Sequence, residues 1–267
     1  MTRLLDPFGD APIPEVPLSK APLVHVLAQI RFPKQIGLVT ANGIDPIRRR
    51  LRSDYPILKE DRNTAIVLSP EGVTAQPQLE TVWRLQSKAG DWQVSIGETF
   101  LALDTSAYIS RKDFCERLKV IVDAFGAIVE PIVAERLGLR YIDRIDRPEH
   151  LERLRDFVFP EVLGVMHLGI ENKERLAHTI TEALFTMPEH KLLARWGLLP
   201  PGATVDPVLK PVQTRSWILD IDVFSDDRVD FATELLISKF ELFAQHSYRF
   251  FRWAVTEELL RAAGGEI

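Results

Sequence analysis

Arginines at regular spacing are the side chains of this sequence best suited to binding an anion. Arg136, Arg140 and Arg144 lie four residues apart in the run Arg136-Leu-Gly-Leu-Arg-Tyr-Ile-Asp-Arg144. On a strand such positions share one face, because side chains alternate. Planar guanidinium groups hold phosphate or carboxylate through paired hydrogen bonds. The spacing therefore predicts a candidate anion site on this strand.

The same three arginines have a second interpretation. Several carboxylates occur on this strand, just beyond it or on another predicted strand, and they are Asp143, Asp146, Asp220 and Asp222. Arginine and aspartate side chains on neighbouring strands form an ionic ladder, which contributes little stability where it is exposed. The sequence leaves the anion site and the ionic ladder open.

A second basic cluster lies at the end of a predicted short helix. The run Ile47-Arg-Arg-Arg-Leu-Arg52 contains Arg48 and Arg49. Cations near a helix C-terminus complement the helix dipole, which is one sufficient explanation for them. Contact with an anion or with RNA is the alternative role for Arg48 and Arg49.

Motifs of known chemistry are absent from the sequence. The histidines are scattered without His-Glu-x-x-His or similar ligand spacing. No P-loop, Gly-x-Gly-x-x-Gly or Gly-x-Ser-x-Gly run occurs. The single cysteine, Cys115, cannot form an intramolecular disulfide. We therefore predict no catalytic residue, no metal site and no cofactor, and an enzyme of unrecognised type remains an alternative.

The charge balance bears on the class of partner. The formal net charge is −5, opposite in sign to that of a general nucleic-acid coat, which needs a surplus of Lys and Arg. No apolar run has the length of a signal peptide or a membrane span. We expect a cytoplasmic protein without a membrane partner, and nucleic-acid binding is not favoured.

An α+β fold is expected to position these side chains. Five prolines in residues 1–22 predict an extended arm. Residues 23–132 and 133–267 then each follow the pattern strand, short helix, three or four strands, long helix. Such runs predict antiparallel sheets covered by helices on one face. We expect two similar halves, a duplication shaped like the TATA-binding protein, and that shape says nothing about function.

The last helix, predicted from about residue 229 to residue 262, is rich in aromatic side chains. One apolar stripe at helical spacing is expected to face the core. Leu242 and Trp253 lie off that stripe, and Arg249 is among the charged positions beside them. Aromatic side chains outside a core stripe indicate an interface. Leu242, Arg249 and Trp253 are therefore candidate contacts for a second copy or another protein, the alternative being a helix buried under two layers.

Three segments together resemble a known family. They are Pro22-Leu-Val-His-Val-Leu-Ala-Gln-Ile-Arg-Phe-Pro33, Arg136-Leu-Gly-Leu-Arg-Tyr-Ile-Asp-Arg144 and Phe250-Phe-Arg-Trp-Ala-Val-Thr-Glu257. From about residue 18 onward the chain resembles sporadically distributed bacterial proteins of roughly 250 residues, a length that one or two domains reach. The function of that family is not established, so the resemblance implies no chemistry. Its patchy distribution implies horizontally exchanged genes, including defence or toxin-linked ones.

These observations favour a non-catalytic binding or assembly component that acts with itself or with another bacterial protein. The alternative is recognition of an anionic ligand, a nucleotide or RNA through the strand that carries Arg136, Arg140 and Arg144. An enzyme of unrecognised type is the second alternative.

Overall fold

A computed structural model describes most of the chain. The described residues are 4, 6–9, 13–35, 37–38, 40–65, 68–69, 72–73, 78–167 and 175–266, without the side chains of 41, 62–65, 68–69, 72–73 and 78–80. Residues 1–3, 5 and 10–12 of the predicted arm lie outside this description.

Helices alternate with runs of strands along the described chain. The helices are α1 (Ala41–Leu51), α2 (Arg111–Val129), α3 (Pro148–Glu152), α4 (Leu154–Phe157), α5 (Pro160–Leu163), α6 (Thr233–Ala254) and α7 (Glu257–Ala262), and a 3₁₀ turn lies at Gly164–His167. The strands are β1 (Leu23–Arg31), β2 (Ile57–Ala65), β3 (Leu68–Ser69), β4 (Gly72–Val73), β5 (Gln78–Gln86), β6 (Trp92–Ile96), β7 (Phe100–Thr105), β8 (Val133–Ala134), β9 (Arg136–Ile145), β10 (Thr179–Thr186), β11 (Lys191–Leu199), β12 (Ser216–Ser225) and β13 (Val229–Asp230).

Nine of the strands form one sheet in the order β10-β11-β12-β9-β1-β7-β6-β5-β2. The neighbours β2, β5, β6 and β7 pair antiparallel, and so do β10, β11 and β12. Short antiparallel ladders join β3 to β4 and β8 to β13. The fold is therefore α+β, with a large antiparallel sheet and several helices, as the sequence predicts.

The chain divides into two compact units. Unit 1 comprises Met1–Val26, Leu139–Phe224 and Glu241–Ile267, and unit 2 comprises Leu27–Gly138 and Ser225–Phe240. The residues of β1, β9, β12 and α6 are divided between the two units.

Unit 2 has a core built on α2. The Ser110 hydroxyl accepts a hydrogen bond from the backbone N–H of Asp113 at 3.1 Å and so caps the helix start. Apolar side chains at helical spacing are buried along one face, and they are Phe114, Leu118, Ile121, Val122 and Phe125. The ring of Phe125 lies 5.1 Å from that of Phe32. Sequence periodicity and the capping residue together account for this helix.

Unit 1 has its core between β10–β12 and the second part of α6. The register of β11 with β12 places Trp196 opposite Leu219, and the ring of Trp196 lies 6.3 Å from that of Phe250 on α6. Gly197 has a φ of +150°, and a Cβ built there would lie 1.9 Å from the carbonyl oxygen of Thr179. Glycine is therefore required where β11 passes β10.

The final helix is shorter than the sequence predicts. Helix α6 ends at Ala254, and α7 begins at Glu257. Thr256 has an extended backbone conformation, and its side chain caps α7 by accepting from the N–H of Leu259. A backbone bridge between Val255 and Val158 holds the break in place. The prediction of one helix over 229–262 was wrong because a polar capping residue competes with helix continuation.

Candidate functional site

Arg140 lies at the centre of an ionic network in unit 1. Its Nε donates to Oδ1 of Asp220 at 2.7 Å, and its Nη2 donates to Oδ2 at 2.9 Å. Its Nη1 donates to Asp206 at 2.5 Å. Arg195, which faces Asp220 in the register of β11 with β12, donates to the same carboxylate at 3.0 Å through Nε. Two arginines thus share one aspartate.

The side chains at the centre of the network are largely buried, so their charges interact strongly. The side chain of Asp220 is 1% exposed and that of Arg140 is 15% exposed. Burial acts to lower the pKa of Arg140, but the bonds to Asp220 and Asp206 outweigh it and raise that pKa. Burial opposes ionisation of Asp206, yet the N–H of Val208 and the charge of Arg140 hold its pKa below the ordinary value. Pairing thus favours the ionised forms of Arg140 and Asp206 despite their burial.

The other two candidate arginines also face carboxylates. Nε of Arg136 lies 3.5 Å from Oδ1 of Asp226 in unit 2. Nε of Arg144 donates to Asp146 at 3.1 Å in unit 1. An incoming anion would compete with these aspartates for the same donors.

The arginines of β9 in unit 1 also hold a loop, residues 200–215, against the strand. Arg140 binds Asp206, and Nη1 of Arg144 donates to the carbonyl of Lys210 at 3.0 Å. Thr214 donates to the carbonyl of Asp146 at 3.2 Å. A loop rich in proline, with few ladder bonds of its own, is anchored here by side chains.

Asp143 is a titratable group that the sequence interpretation did not single out as a site. It lies on β9 and is buried. Burial raises its pKa to about 7, and the negative charge of Asp220 adds to the effect. The signal available in the sequence is alternation, because Asp143 shares a strand face with Leu137, Leu139 and Ile145, which are buried.

Two histidines form a second buried polar contact in unit 1. Nε2 of His190 and Nδ1 of His246 are 2.5 Å apart, and the His190 ring lies 5.5 Å from the Phe243 ring. This contact joins the start of β11 to α6. Their separation of 56 residues in the chain hides the pair from any local motif.

Arg48 and Arg49 pair within their own helix. Arg48 donates to Asp45 at 2.8 Å, and Arg49 lies 2.7 Å from the same carboxylate. Hydrogen bonding from Arg48 lowers the pKa of Asp45. Within each pair the two residues are one helical turn apart and largely exposed to solvent, so each pair contributes little to stability.

The candidate interface residues of α6 differ in their surroundings. Leu242 and Trp253 are partly exposed, whereas Arg249 is buried. Nε of Arg249 donates to the carbonyl of Asp6 at 3.0 Å, so the chain's own arm covers it. The Trp253 ring lies 5.2 Å from the buried ring of Phe250.

In the described ranges, no group of three or more His, Cys, Asp or Glu side chains is placed to hold a metal ion. None of the described helices combines the length and apolarity needed to cross a membrane. No protein-family model matches the sequence, and no curated protein matches it either.

Proposed function

We propose that this protein is a non-catalytic assembly component, and that a second copy of the chain extends its sheet along the outer edge of β10. The composition of that edge carries the proposal. Glu182 is the one charged residue in the sequence of β10, while Ile180 and Leu184 are 41% and 58% exposed. Edge strands are normally protected by charges, prolines or bulges.

The opposite end of the sheet has such protection. Strand β2 is the other edge, and it contains the charged run Lys59-Glu-Asp-Arg62. Charged side chains along an edge oppose pairing with another chain. The difference between the two edges supports β10 as the edge adapted to pairing.

Backbone chemistry supports the same occupant. Among the described residues, no strand is paired with the outer edge of β10. The N–H and C=O groups along that edge suit an added strand, which gives affinity through main-chain hydrogen bonds. Antiparallel pairing of two identical edges is compatible with a two-fold axis, the commonest symmetry of soluble assemblies. Each buried Leu or Ile then contributes about 1.5–3 kcal/mol.

Sedimentation velocity of wild-type chain and of Leu184→Glu tests the proposal. We expect the wild type to sediment as a dimer at tens of micromolar and Leu184→Glu as a monomer, because the carboxylate would be desolvated in the new interface. Leu58→Glu on β2 is the matched control, since Leu58 is 37% exposed on the other edge. A monomeric wild type, or equal dissociation by both variants, would overturn the proposal.

We also propose that residues 23–132 and residues 133–267 descend from one ancestral segment that was duplicated. Strand order supports this proposal, because β1-β7-β6-β5-β2 and β9-β12-β11-β10 run outward from the middle of the sheet. Counting only strands of this sheet, the first strand of each half (β1, β9) lies beside the last strand of that half (β7, β12), and each half contains a long helix after its strands. Superposing β1, β6, β7 and α2 on β9, β11, β12 and α6 tests it; failure of the helices to coincide would contradict it.

Anion, nucleotide or RNA recognition is the second candidate function. The arginine count on β9 supports it, while the carboxylate partners of Arg136, Arg140 and Arg144 weigh against it. Phosphate or nucleotide binding that Arg140→Ala abolishes would be its signature.

A further inference from the structure

The described part of the N-terminal arm lies against α6 and α7 of its own unit. Lys20 donates its backbone N–H to the carbonyl of Ala263 at 2.9 Å. The N–H of Val16 donates to the hydroxyl of Tyr248 at 2.9 Å, and that hydroxyl donates to the carbonyl of Pro14 at 3.3 Å. No helix or strand occurs in the described residues before β1. The arm is thus a docked extended segment.

Near its start the arm places one aromatic ring in an aromatic slot, defined here by Phe185, Phe250 and the side chain of Arg249. The Phe8 ring lies 4.7 Å from that of Phe185 and 6.3 Å from that of Phe250. Phe185 and Phe250 are themselves 5.8 Å apart. Phe8 thus covers Phe185, which is half-buried, and Phe250, which is buried in unit 1.

Beside the slot, the protein binds the backbone of the arm. Arg249 donates to the carbonyl of Asp6, two residues before the anchoring ring. A Cβ built on Gly9 would lie 2.6 Å from Nη2 of Arg249, so the guanidinium passes close to the backbone of the residue after the ring. The slot therefore binds a phenylalanine ring and a backbone carbonyl two residues before it.

We propose that this aromatic slot is a docking site for an extended Phe-bearing segment of a partner polypeptide, and that the chain's own arm occupies it until such a partner arrives. The arm shows which chemistry fits: one ring, backbone carbonyls and no regular secondary structure. Such contacts are available to any extended segment with the same anchor. The tethered arm is a competitor at high effective concentration, which lowers the affinity for a partner. This proposal is independent of the β10 edge.

A fluorescent peptide of residues 1–16 serves as the probe in trans against the full chain. We expect it to bind the Phe8→Ala chain roughly ten-fold or more tighter than the wild type, because the tethered competitor is weakened. Ile109→Ala, at an exposed residue of unit 2, is the control and should bind like the wild type.

Three results would overturn the inference. They are equal binding to the wild-type and Phe8→Ala chains, no binding to either, and undiminished binding of a peptide that itself carries Phe8→Ala. In a mixture of two wild-type batches whose arms carry a donor and an acceptor dye, energy transfer between the dyes would instead show that the slot binds the arm of a second copy. The β10 variant Leu184→Glu should leave peptide binding unchanged, which separates this test from that of the assembly edge.

Discussion

A single buried carboxyl, Asp143, sets the first expectation at the scale of the residue. Its pKa is about 7 in the folded protein against an ordinary value of 3.8. Between pH 3.8 and about pH 7, the carboxyl of Asp143 keeps its proton in the folded chain but has lost it in the unfolded chain. Stability from this group therefore falls as pH rises from about 4 to about 7.

Asp143→Asn removes that dependence, because asparagine is neutral and similar in shape. We expect the variant to melt at a higher temperature than the wild type at pH 8, and the difference to shrink at pH 5. Thermal unfolding at both pH values measures it. Asp230→Asn, at an exposed acid, is the control with no such trend. A variant less stable than the wild type at both pH values would contradict the expectation.

The residue scale also shows how far the sequence predicts the candidate site. Alternation alone identifies Arg136, Arg140 and Arg144 as a set. Their partners are less accessible, because Arg140 meets Asp206 and Asp220 at separations of 66 and 80 residues. Strand alternation predicts Asp220 as a ladder partner, but Asp206 lies in a loop, where no periodicity places a side chain. The loop's position follows from tertiary packing.

At the scale of the element, two glycines show that tertiary surroundings decide whether a position requires glycine. Gly126 lies inside α2, and a Cβ built there would be 3.6 Å from the ring of Phe231, an ordinary contact. Gly197 lies in β11 with a positive φ and no room for a Cβ beside Thr179. Both look alike in the sequence, but their tertiary surroundings differ.

Substituting alanine at these two glycines should have opposite effects. We expect Gly126→Ala to stabilise the chain by about 0.5–1 kcal/mol, because alanine loses less backbone entropy in a helix. Gly197→Ala should destabilise it by at least about 1–3 kcal/mol through backbone strain, with the steric contact adding to this. Urea unfolding compares both with the wild type, and equal effects would refute the assignment of strain to β11.

Elements were predicted where local signals agree. The capping hydroxyl of Ser110 and the apolar spacing that follows it both point to α2, so local signals alone account for this helix. In α6 the apolar spacing continues past residue 254, and Thr256 alone marks the break. Apolar periodicity is a signal summed over many residues, so the single capping hydroxyl of Thr256 does not interrupt it in the sequence.

At the scale of the whole molecule, the arm's course is the feature least visible in the sequence. Proline content predicts an extended segment, but it gives no information on what that segment contacts. The contacts made by Phe8 and Val16 join residues more than 170 positions apart in the chain. Such contacts follow from packing of the folded units rather than from a pattern within the arm.

Two truncations of the arm should therefore differ. Removing residues 1–9 takes away Phe8 and uncovers part of the aromatic slot, and we expect a modest fall in melting temperature. Removing residues 1–20 also takes away the segment that packs against Gly264 and Gly265. The contact there is close: a Cβ built on Gly264 would lie 2.1 Å from Oγ of Ser19, and one built on Gly265 would lie 2.8 Å from Leu18 and from Val16. It also frees the carbonyl of Ala263, so we expect a clearly larger fall, because buried apolar area and a backbone hydrogen bond are both lost. Differential scanning calorimetry of the two truncations and the full chain measures the difference; equal melting temperatures in all three would show that the arm is merely tethered.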